Sequence, residues 1–175
     1  MNKKVAIIIA SKDFRDEEYF ITKETLENNN IKVMTVCDEK NAIGRLGGEA
    51  IADIIIDKLN INDFDGIIFA GGGGALEKLD NQVSYDICKE CIEKGKILAA
   101  ICISPVILAN AGVLKGVNAT VWSSNMDKSP IAHIEERGAS YEEKSVIVDK
   151  NIITGRNPEA SKEFGETISK TLTKS

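Results

Sequence analysis

Apolar residues in this chain gather into short, nearly unbroken blocks at residues 5–10, 31–37, 66–70 and 96–101. Blocks of that length, rich in Ile and Val and without polar alternation, predict strands buried on both faces. Between the first two, residues 16–29 carry Tyr19, Phe20, Thr22 and Leu26 at helical spacing, and Asn28-Asn29-Asn30 stops the helix. A second helix is predicted over 83–94. Residues 51–56 predict a short strand outside the main sheet, and 118–122 a further strand. The runs 146–148 and 152–154, joined by Asp149-Lys150-Asn151, predict a β-hairpin. A last helix runs from about residue 158 to 171. Strands alternating with helices imply an α/β sandwich: a mostly parallel sheet, helices on both faces and a C-terminal hairpin. No repeat, linker or low-complexity segment divides residues 1–175, which read as a single domain.

Composition narrows the function classes. A length of 175 residues suffices for a substantial core without staples. The net charge of −5, with no basic run, argues against a nucleic-acid partner. Met1-Asn2-Lys3-Lys4 precedes an apolar run too short to span a membrane, and that run ends in Lys12-Asp13 without a cleavage-like site. It reads as the first core strand, so the expectation is a cytoplasmic protein with no membrane partner. Its four cysteines should then be reduced. Cys88 and Cys91 form a C-x-x-C inside the second helix. With a single histidine in the chain and no second cysteine pair, neither a metal site nor a thioredoxin-like motif follows, and no cofactor is implied.

The chemistry concentrates at Ala99-Ala100-Ile101-Cys102-Ile103-Ser104-Pro105. Ala100 and Ser104, two residues either side of Cys102, are small, as a tight strand-to-helix nucleophile elbow requires. Ser104 suits an N-cap and Pro105 a first helical position. A cysteine beside a helix N-terminus is favoured as thiolate, so Cys102 is a candidate nucleophile or redox centre. The plainer alternative is a small apolar cysteine at a strand end.

Ligands of open α/β sheets bind beyond the carboxyl ends of the strands, where Cys102, the Gly71-Gly72-Gly73-Gly74 loop and the segment after Ala10 all fall. The glycine loop has neither the P-loop Lys-Ser/Thr nor the dinucleotide fingerprint. It could aim N–H groups at an oxyanion, or simply turn. Glu17 and Glu18 open the first helix. As isolated acids they are solvated caps, but one facing Cys102 away from water would have a raised pKa and could donate to sulfur. His133, in a polar segment resembling a surface helix, could pair with a cysteine across space. Arg45 and Arg156, in Gly-containing loops, could hold an anion or lie on the surface.

Four pieces taken in order resemble the ThiJ/PfpI (DJ-one) superfamily over nearly the whole chain: Phe14-Arg15-Asp16-Glu17-Glu18, Phe69-Ala70-Gly71-Gly72, the elbow with Ala111-Gly112-Val113-Leu114, and Thr154-Gly155-Arg156-Asn157-Pro158. The resemblance implies a flavodoxin-like sandwich and a homodimer or higher homo-oligomer. It makes Cys102 the elbow nucleophile, or a thiol oxidised to sulfinic acid. Glu18 becomes its hydrogen-bonding acid, with Gly71, Gly72 and Ile103 on the oxyanion and binding side. Peptidase-type members carry histidine where Ile103 stands, and glyoxalase-like members carry one where Trp122 stands. The resulting expectation is a reactive cysteine acting on small electrophiles such as α-oxoaldehydes. The alternatives are a cysteine sensor of oxidants and, third, a peptidase or amidase.

Overall fold

The computed structural model describes residues 2–174. The four apolar blocks become β1 (Lys4–Ile9), β3 (Lys32–Cys37), β7 (Gly66–Phe69) and β8 (Ile97–Ile101). Residues Ile54–Ile55 add β6, and the predicted hairpin adds β11 (Val146–Asp149) and β12 (Ile152–Gly155). Together they form one seven-stranded sheet in the order β11-β12-β8-β7-β1-β3-β6. Every pair is parallel except β11 with β12, the hairpin edge.

Alternate residues of these strands supply two separate cores, which is why their sequences show no polar alternation. Val5, Ile7, Ile9, Ala99 and Ile101 face Tyr19 and Leu26 of α1 (Asp16–Asn28) and Phe164, Ile168 and Leu172 of α6 (Ser161–Thr173). Ala6, Ile8, Ile67, Phe69 and Leu98 face Ile87, Cys88 and Cys91 of α3 (Gln82–Glu93). The same core takes Ile107 and Leu108 of α4 (Pro105–Asn110) and Ile134 of α5 (Ser129–Glu136). Helices therefore cover both sheet faces, the three-layer flavodoxin-like arrangement. Cys88 and Cys91 lie on the buried face of α3, and burial pushes the Cys91 thiol up to about 12. They are core residues. Among the described residues, no helix is long and apolar enough to cross a membrane.

Two expected strands are rearranged. The stretch predicted at 51–56 is split between β6, at the main sheet edge, and β5 (Glu49–Ile51). β5 joins β2 (Lys12–Phe14) and β4 (Asn41–Gly44) in a three-stranded sheet of order β2-β4-β5. At 118–122 only β9 (Asn118–Ala119) is a strand, paired with β10 (Ser140–Tyr141) away from the main sheet. The residues beyond β9 are held by single hydrogen bonds. Thr120 N–H donates to Thr154 Oγ1 at 3.0 Å and Trp122 N–H to Cys102 O at 2.8 Å. Trp122 is thereby fixed beside the cysteine. The remaining helix, α2 (Gly73–Leu79), follows directly from the glycine loop.

Candidate active site at the Cys102 elbow

The wholly buried β8 leads straight into Cys102, whose φ of +63° lies in the left-handed region that non-glycine residues enter at a cost. The surroundings hold it there. Cys102 N–H donates to Gly155 O at 2.9 Å, and Cys102 O accepts from Trp122. Ser104 is fully buried and its hydroxyl donates to Ala70 O at 2.6 Å. The expectation that Ser104 caps its helix is thus corrected: it has helical dihedrals and makes no cap bond. Its hydroxyl instead ties the end of β7 to the start of α4.

Glu18 reaches this elbow from the first turn of α1 and is 1% exposed. Its Oε2 accepts the Gly71 N–H at 2.6 Å. Gly71 was expected to offer that N–H to an oxyanion; in the structure Glu18 already occupies it. Glycine is required at this position because an added Cβ would lie 2.6 Å from Glu18 Oε2 and 2.9 Å from Cys102 Cβ. Gly72, with φ of +113°, is barred from carrying a side chain by the Asp13 carbonyl and Arg15 amide. It remains on the cavity wall with Ile103.

Burial pushes the Glu18 carboxyl up to about 8, against the opposing pull of Cys102, the Gly71 N–H and Arg15. The carboxyl is therefore neutral at pH 7. Burial also raises the Cys102 thiol, and the neighbouring Glu18 carboxylate adds to the rise. The Ile103 N–H and Arg15 oppose it. A thiolate favoured by the helix N-terminus is thus corrected, because desolvation outweighs the few N–H groups of a six-residue helix. Glu18 Oε1 is buried with no hydrogen-bond partner, so the two groups perturb each other without an aligned bond closing Oε1 onto sulfur. They titrate as one coupled pair, whose first proton leaves near pH 8.

Above Cys102 opens a cavity of about 390 Å³ lined by Arg15, Arg45, Gly72, Gly73, Leu76, Ile103, Trp122 and Pro158. Arg45 and Trp122, candidates in sequence, are brought to the cysteine. Glu17 is not: it takes Arg15 in a two-point ion pair at 2.9 and 3.2 Å. Arg156 pairs with Glu143 at 3.0 Å, outside the cavity lining. His133 lines an adjoining cavity of about 330 Å³ that shares Leu76, Ile103 and Trp122. Its Nε2 is bonded to Asn110 Oδ1 at 2.7 Å, and Asn110 Nδ2 donates to Asp80. That chain holds the imidazole in the neighbouring cavity.

Sequence reasoning passed over Arg15 and Asp16 as site-building residues. Asp16 is buried and accepts the Leu46 and Gly48 N–H groups at 2.8 and 2.7 Å, fixing the β4–β5 turn that carries Arg45. The acid-rich helix start concealed this role, since such acids also serve as solvated caps. Among the described residues, no group of three His, Cys, Asp or Glu side chains is placed to hold a metal ion.

This architecture recurs in known proteins. The chain is 39% identical to the uncharacterized protein MJ0967 of Methanocaldococcus jannaschii, over 99% of this chain and 84% of that one. It is 32% identical to the uncharacterized protein SAV1875 of Staphylococcus aureus, covering 98% and 99%. Among solved structures, a ThiJ/PfpI domain protein of Brachyspira murdochii superposes with a TM-score of 0.93 at 26% identity, covering 100% and 99%. Drosophila melanogaster DJ-1beta superposes with 0.87 at 25% identity, covering 98% and 91%. The DJ-1/PfpI family model matches residues 3–171, and this chain belongs to that family.

Proposed function

We propose that the protein is a cysteine-dependent, glyoxalase-like enzyme that converts small 2-oxoaldehydes into 2-hydroxy acids. The observation that carries this reading is the elbow cysteine on the wall of a cavity, with the buried, protonated Glu18 carboxyl beside it. When the pair loses a proton, sulfur adds to the aldehyde carbon, and the carbonyl electrons pass to an oxygen held by the Gly72 and Ile103 N–H groups. Glu18 protonates that oxygen to give a hemithioacetal. The resulting carboxylate takes the C1 proton and returns it at C2, through an enediol, leaving a 2-hydroxy thioester. Water then cleaves the C–S bond and releases the 2-hydroxy acid and the thiol. C1 is oxidised and C2 reduced, so no external oxidant is needed. With histidine confined to the neighbouring cavity, Glu18 carries every proton. Wild type is expected to form lactate from methylglyoxal and Cys102→Ser to lose that activity. Equal rates from the two proteins would overturn the reading.

A second reading has a specific support: the unpartnered Glu18 Oε1 beside the buried Cys102. A protonated carboxyl there could donate to an oxidised sulfur, making Cys102 a sensor that peroxide converts to sulfinic acid, with water as by-product. Addition of two oxygens at Cys102 in a protein without methylglyoxal turnover would favour this alternative.

A further inference from the structure

The wall of the Cys102 cavity contains two guanidinium groups, Arg15 and Arg45, and no carboxylate. The backbone of each is anchored, and each side chain meets one carboxylate. Arg15 N–H donates to Gly71 O at 2.9 Å, while its Nε and Nη2 grip Glu17. Arg45 N–H donates to Phe14 O at 2.9 Å, its Nη1 meets Asp13 at 3.3 Å, and the turn around it hangs from Asp16. A guanidinium has five N–H donors. These anchors use only part of each set, and among the described residues neither side chain has another hydrogen-bond partner. The adjoining cavity has the opposite character, with Asp80, Asp127 and His133 on its wall and no guanidinium. Leu76, Ile103 and Trp122 are common to both cavities.

We propose that Arg15 and Arg45 form an anion subsite beside Cys102, and that the natural electrophile is a 2-oxoaldehyde bearing a carboxylate. The proposal rests on the glyoxalase-like reading for its reaction and on the cavity alone for its anion. A planar carboxylate matches guanidinium donors. A monoanion suits the site better than a phosphate dianion, because Glu17 and Asp13 match the two guanidiniums in formal charge and leave recognition to the unused N–H donors. The apolar side chains leave room for a short aliphatic link between the two ends, and the acidic wall next door turns a carboxylate away. A five-carbon example is 4,5-dioxopentanoate. Addition of one water through the steps above gives 2-hydroxyglutarate, with C1 oxidised and C2 reduced as before.

The test separates anion recognition from turnover. Cys102 of the full-length protein is alkylated with iodoacetate and with iodoacetamide, followed by mass spectrometry, and the ratio of the two rates is divided by the same ratio for glutathione. Ionisation of the thiol cancels in this quotient. The expected quotient is about tenfold above one, equivalent to ~1.4 kcal/mol of preference for the anion. It falls most of the way to one in Arg45→Gln, a variant expected to fold because that side chain is 56% exposed. A quotient at or below one in wild type, or one unmoved by Arg45→Gln, overturns the subsite. In parallel, kcat/KM should be higher for 4,5-dioxopentanoate than for methylglyoxal. A tenfold quotient without turnover of either compound would keep the subsite and remove the glyoxalase-like reading. Cys102-dependent lactate formation with a flat quotient would do the reverse.

Discussion

Replacing Glu18 by Gln removes a titration while preserving shape and, through the amide oxygen, the bond from Gly71 N–H. In the folded chain the carboxyl holds its proton to about pH 8, against an ordinary value of 4.5. Between those values the folded state binds a proton that the unfolded state lacks. The associated stabilisation is complete below the unfolded value and is lost as pH rises through the folded one. At ~1.4 kcal/mol per pH unit, the interval from pH 5.5 to 8 amounts to roughly 3 kcal/mol for this 1% exposed side chain. Urea unfolding at pH 5.5, 7 and 8.5 measures it. The stability difference between wild type and Glu18→Gln should move by about that amount in favour of the variant as pH rises. Cys102 and the surface carboxylates are present in both proteins and largely cancel. Two stability curves that run parallel from pH 5.5 to 8.5 would refute the claim that Glu18 is buried and protonated.

Three further outcomes follow from the packing. Gly71→Ala sets a Cβ 2.9 Å from both Cys102 Cβ and the Ile101 carbonyl, and backbone cannot yield cheaply; the melting temperature should fall by ~3–10 °C. Ser104→Ala leaves the buried Ala70 carbonyl without its 2.6 Å donor and should cost ~1–3 kcal/mol in urea unfolding. His133→Ala, made in the adjoining cavity, should leave the pH profile of Cys102 alkylation where it was; a rate change beyond about threefold would place the imidazole in the reacting centre after all.

The sheet and its two helical layers could be read from residue order because the blocks at 5–10, 66–70 and 96–101 are long, apolar and unambiguous. The short pieces were harder. β2 and β4 are partly exposed, and each is defined by pairing with a segment distant in sequence. Thr120, Val121 and Trp122 look like strand but are held by the elbow and by Thr154 rather than by a ladder. At the site, small residues around Cys102 announced the elbow, since sterics act locally. The raised Glu18 pKa followed once an acid was supposed to face Cys102 away from water, but the raised Cys102 thiol was not legible, because desolvation depends on everything packed around it rather than on the nearest helix end. Nor could sequence spacing show that the Gly71 N–H is taken by a carboxylate 53 residues away.

Cys102 reacts, on this mechanism, only as one half of a proton-sharing pair with Glu18. This pairing is tested most directly by the rate of Cys102 alkylation by a neutral reagent from pH 6 to 11, in wild type and in Glu18→Gln. A slow thiol at neutral pH is expected, with a first step near pH 8 in wild type. That step is absent from Glu18→Gln, which rises in a single phase set by burial alone. A thiol already fast at pH 6.5, or profiles that superimpose in the two proteins, would contradict it.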